Sequence, residues 1–268
     1  MRNYGLSARL LATAGAVAIA VAISGCATDQ AKETTGSVTP STTPRTEAQW
    51  RRESEALGER YRANPQDGEL AMQYAQALRG IGQRSQAVAV LEQASLQNSE
   101  NQTILGAYGR ALADVGRNEQ ALEVLNRAHS PEQPDWRILS VQGAVLDQMG
   151  RHEDARRHYS SALKIVPNEP SVLSNLGLSY ALSKDLHKAE ETLRRAAAQP
   201  GAEPKVRQNL ALVVGLQGRF AEAETIARGD LSPEEASANV AYLRQMLSQQ
   251  KVLKKNNRGP APAQRAKS

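Results

Sequence analysis

The sequence predicts an all-α protein, a tandem stack of helix-turn-helix units with a single helix closing each end. Three observations carry that expectation. Phe occurs once and Trp twice among 268 residues, while Ala, Leu, Gln, Glu and Arg dominate, a composition that favours helices over strands. Small and apolar residues recur in register every 34 positions. The segments flanking the recurring region read as lone amphipathic helices, which suits a stack whose units cannot cover their own apolar faces.

At the N-terminus, Arg2 and Arg9 precede an uncharged run from Leu10 to Ile23. It is shorter than the roughly 20 apolar residues that a spanning helix needs. The run ends in Ile23-Ser24-Gly25-Cys26, and the sequence contains no other cysteine. This resembles the lipobox of bacterial lipoproteins, usually Leu-Ala/Ser-Gly/Ala-Cys, with Ile23 in the Leu place. Ser24 and Gly25 are small enough to admit the backbone to a peptidase cleft, and the Cys26 thiol is the nucleophile that accepts diacylglycerol. The resemblance implies a signal peptide over 1–25 and a mature chain held firmly to the membrane by lipid on Cys26. Ala27, standing where an Asp retains such proteins at the inner membrane, implies the outer membrane with the domain facing the periplasm. Without a second cysteine the domain has to fold there without disulfides.

Residues 26–46 are expected to be a disordered tether. From Ala27 to Arg45 no apolar periodicity is present, and Pro40 and Pro44 intervene. About 20 flexible residues reach roughly 25 Å. The next segment, 47–67, is a capping helix, in which Glu47 to Ala63 aligns with the second half of a unit and Leu57 and Pro65 fall in register.

The repeating region covers 68–230 in five units: 68–101, 102–135, 136–169, 170–203 and 204–230. Gly82, Gly116, Gly150 and Gly218 share one column. Glycine there ends the first helix of a pair in a left-handed conformation, which Lys184 has to adopt in the fourth unit. Ala87, Ala121, Ala155 and Ala189 form another column, and Ala94, Ala128, Ala162 and Ala196 a third. These small residues let helices approach closely. Leu91, Leu125, Tyr159 and Leu193 fill the space between them, as do Tyr74, Tyr108, Leu176 and Leu210.

Together these columns resemble the tetratricopeptide repeat, with Leu or Tyr at the family's seventh place in most units, a small residue beside it and the Ala-to-Ala spacing of the second helix. The resemblance implies a right-handed tetratricopeptide-repeat solenoid with helical caps. The family's Trp place is held instead by Ala71, Leu105, Leu139, Leu173 and Arg207, and the last makes the fifth unit the least regular. After it, Ser232-Pro233-Glu234-Glu235 is a capping-box start, and Ala236, Val240, Leu243 and Leu247 share one face, so 231–252 reads as the C-terminal capping helix. Residues 253–268 form a disordered basic tail, the last 18 residues containing Lys251, Lys254, Lys255, Arg258, Arg265 and Lys267 without one acid.

No catalytic constellation is legible, and the chain is expected to be no enzyme, with no cofactor and no metal. His129, His152, His158 and His187 read as exposed or at helix ends, without carboxylate partners at ligand spacing. Glu153/Asp154 and Glu190/Glu191 read as solvated surface. A formal net charge of +5, two units of it on Arg2 and Arg9, is too small to argue for nucleic acid by itself, none is expected, and nothing points to a small-molecule substrate.

In tetratricopeptide arrays the first helices line a concave groove, and the resemblance carries that role onto particular residues. The first three units present Glu69, Met72, Gln76, Arg79, Thr103, Arg110, Asp114, Arg137, Ser140, Asp147 and Gln148. The last two present Ser171, Ser174, Leu178, Leu182, Gln208, Leu212 and Leu216. Arg110, Arg137, Leu178, Leu182, Gln208, Leu212 and Leu216 are the candidate partner contacts. The leucines form i, i+4 pairs that suit a partner's helix or extended segment, or that the terminal helix covers. A chaperone-binding clamp is not expected, since Met72, Gln76 and Ala107 replace its residues.

The run from Val206 to Glu224, VRQNLALVVGLQGRFAEAE, followed by Asn239-Val240-Ala241-Tyr242-Leu243, is similar to the TadD family, the tetratricopeptide lipoproteins of the Tad system that builds Flp pili. That implies a scaffold supporting assembly of the outer-membrane secretin and its accessory subunits, and so adhesion. Two alternatives share the architecture: a pilotin for another type IV pilus secretin, and an adaptor lipoprotein for peptidoglycan enzymes.

Overall fold

The computed structural model describes residues 46–130 and 132–256. The expected signal peptide with Cys26, the expected tether up to 45 and the expected tail from 257 lie outside the described residues, whereas 253–256, expected in the disordered tail, continue the last helix. Among those described are twelve helices and no strand. The first, α1 (Glu47–Ala63), stands alone. Five pairs follow: α2 (Gly68–Gly80) with α3 (Arg84–Gln97), α4 (Gln102–Asp114) with α5 (Asn118–Arg127), and α6 (Trp136–Gln148) with α7 (His152–Ile165). Then come α8 (Pro170–Leu182) with α9 (Leu186–Ala197), α10 (Pro204–Leu216) with α11 (Phe220–Ala227), and the closing α12 (Pro233–Asn256).

The two helices of a pair begin differently, and the sequence accounts for it. Four of the five first helices start at side-chain caps, where Asp67, Asn101, Asp135 and Glu169 each accept from a backbone N–H of the following turn, while α10 starts at Pro204 without one. Thr46 and Gln49 make a full capping box on α1, a start the sequence reading did not single out. Four of the five second helices lack a side-chain cap and instead emerge from a tight turn. In each turn Gly82, Gly116, Gly150 or Gly218 has φ between 76° and 85°. The next residue then donates its N–H five residues back, as from Arg117 to the Leu112 carbonyl at 3.0 Å. Lys184 makes the same turn at φ 67°, with Asp185 donating to the Tyr180 carbonyl at 2.9 Å.

Packing within a pair follows the small-residue columns. A Cβ placed on Gly109 would lie 2.5 Å from Leu125, and one on Gly177 2.6 Å from Leu193, so these glycines make room for the leucine of the partner helix. Ala71, Leu105, Leu139 and Leu173, in the family's Trp place, are all buried. In the fifth pair Arg207 holds that place with its guanidinium on the Asp230 carboxylate, Nε to Oδ2 at 2.7 Å, and a further bond to the Ala202 carbonyl at 3.2 Å. The irregular residue therefore pins the loop after α11 to α10.

The ends are closed by apolar contacts. Leu57 of α1 is buried with Leu70 and Ala77, flanked by Trp50, Tyr61 and Tyr74. At the other end Ser232 and Glu235 bond reciprocally at 3.0 and 3.2 Å. Ala236 of α12 packs with Ala211 and Ala227, and Val240 with Leu210, Val213 and Val214. Leu243 meets α10 where Gly215 offers no Cβ to obstruct it.

Candidate partner-binding groove

The first helices of successive pairs are direct neighbours, α2 beside α4, α4 beside α6, α6 beside α8 and α8 beside α10. Together they build one continuous wall, and the residues singled out above divide along it.

At the α2, α4 and α6 end the wall is charged. Arg79 Nε lies 2.5 Å from Asp114 Oδ2, joining α2 to α4. Arg110, one turn before Asp114, is exposed to solvent and has no hydrogen-bond or ion-pair partner among the described residues. Burial of its guanidinium among surrounding atoms holds its pKa below the usual arginine value, with Arg79 and Arg137 pushing the same way and Asp114 and Asp135 opposing. Arg137 is exposed, and its guanidinium lies over the Trp136 ring at 4.4 Å.

At the α8 and α10 end the wall is apolar. Leu178, Leu212 and Leu216 are half-buried, and Leu182 is 56% exposed. None of the four belongs to the described core clusters, and the buried face of α12 is directed to Ala211, Val213 and Val214 of α10 instead. Gln208 is half-buried on α10, at the same end.

Three residues expected to face the groove do something else. Ser140 and Ser174 are buried and accept hydrogen bonds from the side chains of Asn175 at 3.2 Å and Asn209 at 3.0 Å. Each bond ties a first helix to the next, a ladder built from serine and asparagine one repeat apart. The Asp147 side chain, 8% exposed, is turned into the seam of α6, α7 and α8. It accepts from Ser179 Oγ at 2.8 Å and Tyr159 Oη at 3.0 Å, and its Oδ1 lies 2.8 Å from His152 Nδ1. Burial, then the adjacent Asp147 carboxylate, drives the Tyr159 phenol well above its ordinary pKa and keeps it neutral.

This corrects the expectation for the histidines, since His152 does have a carboxylate partner. His158 is half-buried, and its Nδ1, like that of His129, is enclosed without a hydrogen bond. Ser179 donates to the carboxylate and not to the imidazole, so the cluster is a structural tie and not a nucleophile with its base. Glu190 also departs from the solvated reading. At 13% side-chain exposure it binds Arg194 at 2.7 Å, Arg219 at 2.6 Å and Gln217 at 2.8 Å. Among the described residues no group of three or more His, Cys, Asp or Glu is placed to hold a metal ion, and no helix is long and apolar enough to cross a membrane.

Models described as tetratricopeptide repeat match residues 45–168, 141–203 and 206–228. No curated protein matches the chain in sequence. Among solved structures, PilW, a type IV pilus biogenesis factor, superposes with a TM-score of 0.61 at 14% identity, over 72% of this chain and 91% of that one. PilF of Pseudomonas aeruginosa gives 0.51 at 19% identity, over 70% and 91%. A tetratricopeptide protein of Thermus thermophilus gives 0.59 at 21% identity, over 66% and 99%. At these identities the likeness concerns the fold.

Proposed function

We propose that this chain, which belongs to the tetratricopeptide-repeat family, is a lipid-anchored scaffold that supports assembly of a Tad/Flp pilus. The fold is a protein-interaction scaffold, and the observation that carries the binding role is the wall of first helices. Its leucines stay outside the described core clusters while Arg110 and Arg137 are exposed on it, a surface suited to contact with a partner. The pilus role is supported by sequence: the lipobox ending at Cys26, and the TadD-like run from Val206 to Glu224 with its sequel at Asn239–Leu243. Two structural relatives bear pilus names, but their identity to this chain is too low to carry more than the fold.

In this reading Cys26 carries lipid in the outer membrane, residues 26–46 give reach into the periplasm, and the repeats hold a segment of the secretin or of an accessory subunit. Deleting the gene is expected to abolish Flp pili and reduce secretin multimers, and capture of the intact chain from cross-linked envelopes is expected to recover a Tad component. Normal pili after deletion would sink the proposal. Loss of a different type IV pilus would transfer the same architecture to pilotin work for that system. Mass spectrometry of the exported chain is expected to find acylated Cys26, and a free thiol there would remove the anchor.

A further inference from the structure

We infer that the closing helix α12 pairs with α12 of a second copy of this chain, antiparallel, through a seam of Asn239, Tyr242, Met246, Gln249 and Leu253. The helix is longer than its seat. Ala236 packs with Ala227 at the end of α11, and by Arg244, whose guanidinium lies over the Phe220 ring at 4.8 Å, α12 has come to the beginning of α11. Leu243 meanwhile meets Gly215, next to the last residue of α10. Residues 233–244 therefore span the pair that α12 caps, and at a rise of about 1.5 Å per residue 245–256 run on for about 18 Å. Among the described helices α12 neighbours only α10 and α11.

The surface left over is not uniformly polar. Tyr242 is 65% exposed and Leu253 63%, and Met246 between them is half-buried. Steps of three, four, three and four residues from Asn239 to Leu253 put the five on one stripe, the seam positions of a helix pair. At about 100° per residue its centre lies roughly 110° around the helix from the face on which Ala236, Val240 and Leu243 seat α12. A second helix can lie there without displacing α10 or α11.

The stripe matches itself. With a twofold axis between Leu247 and Ser248, Tyr242 of each copy faces Leu253 of the other and Met246 faces Gln249, an isologous contact that takes an aromatic ring and a leucine out of water twice over. Charge selects the direction. Glu234 and Glu235 open the helix, and Lys251, Lys254 and Lys255 stand in its last turns. Antiparallel pairing carries the basic end of each helix toward the acidic start of the other and opposes their dipoles, whereas a parallel pair sets lysine beside lysine. Asn239 and Gln249 interrupt the apolar stripe, which suits a helix pair with a fixed register better than a lipid surface. The contact is confined to one helix of each copy, so the association is expected to be weak and to depend on concentration.

The test follows the mass of the intact chain in detergent by sedimentation, from dilute to concentrated solution. A shift from one copy to two is expected as concentration rises. Leu253→Glu should weaken the association at least tenfold with circular dichroism unchanged, because Leu253 is exposed in the single chain. Direction is read with a short thiol cross-linker, the unsubstituted chain serving as the blank. A mixture of Tyr242→Cys and Leu253→Cys chains should join at least tenfold more than either chain alone. A single copy at every concentration, an association that Leu253→Glu leaves unchanged, or Tyr242→Cys chains that join alone as readily as in the mixture overturns the inference. If the chain stays single while Leu253→Glu abolishes its flotation with anionic lipid vesicles, the stripe belongs to a membrane surface and self-pairing falls.

Discussion

The joint between the second and third repeats and the joint between the fourth and fifth are built on the same helix register but filled differently. At the later joint Ala189, Leu193, Leu210, Val213 and Val214 form one apolar cluster that continues into Ala223 and Val240. A lattice of Glu190, Arg194, Arg219 and Glu222 fastens it, with Arg194 reaching Glu222 at 2.6 Å. At the earlier joint the apolar packing divides. Ile138 and Val145 join the cluster of the first two repeats, while Leu139 and Leu146 join one with α7 and α8.

On the same helix stands Gln142, 1% exposed, in the column that elsewhere holds Tyr or Leu. Its NH2 reaches Asn126 at 2.9 Å and its carbonyl oxygen finds no partner. A cleft of about 300 Å³ opens beside it between α5, α6 and α7, lined by Asn126, Arg151, Asp154 and His158 among others. At the earlier joint a polar residue in a core column stands where the apolar packing divides, and each unit of a repeat protein packs only on its neighbours.

The largest effect that would test this contrast is Leu193→Ala. The side chain is fully buried in the later joint, and its loss is expected to cost about 2–5 kcal/mol in chemical denaturation. A cost near zero would mean that the later joint is not a dry core. Glu190→Gln is next. Burial works against the ionised Glu190, but hydrogen bonds from Arg194, Gln217 and Arg219 hold its pKa below the ordinary value. Removing that charge from two arginines is expected to cost about 1–3 kcal/mol, and high salt should not abolish the difference.

Gln142→Leu should move the earlier joint toward the later one. It removes a buried acceptor without a partner and leaves Asn126 within reach of water, for a gain of about 1 kcal/mol by thermal or urea unfolding. The smallest expected effect is a pH slope. Burial, with nearby His129 second, holds the His158 pKa below its ordinary value. The unfolded chain therefore binds a proton before the folded one does. Stability from this group is present above the ordinary histidine pKa of about 6.5 and declines as pH falls through the lower folded value. Melting temperature should drop on acidification from pH 7 to 5, and His158→Gln should flatten that part of the curve.

Much of this was legible from columns. The left-handed turns follow from Gly82, Gly116, Gly150 and Gly218, and Lys184 could be placed with them because its neighbours kept register. The capping box at Ser232 was legible because both partners lie within one turn. Glu190 was misread because its arginine Arg219 lies almost a full repeat away, where local patterning carries no information. The Ser140–Asn175 and Ser174–Asn209 bonds were missed for the same reason, although serine followed one repeat later by asparagine is itself a periodic signal.

The sequence by itself determined that the chain is a stack of helical hairpins, because period, turn glycines and small-residue columns are local constraints repeated until only one architecture satisfies them. Only the tertiary structure decided which polar groups on the first helices face outward. Asp147 and Ser140 turned into seams between helices, while Arg110 and Leu182 stayed open. The physical reason is that a buried polar atom has to find its partner in space, and in a solenoid that partner can sit as much as a repeat away in the chain.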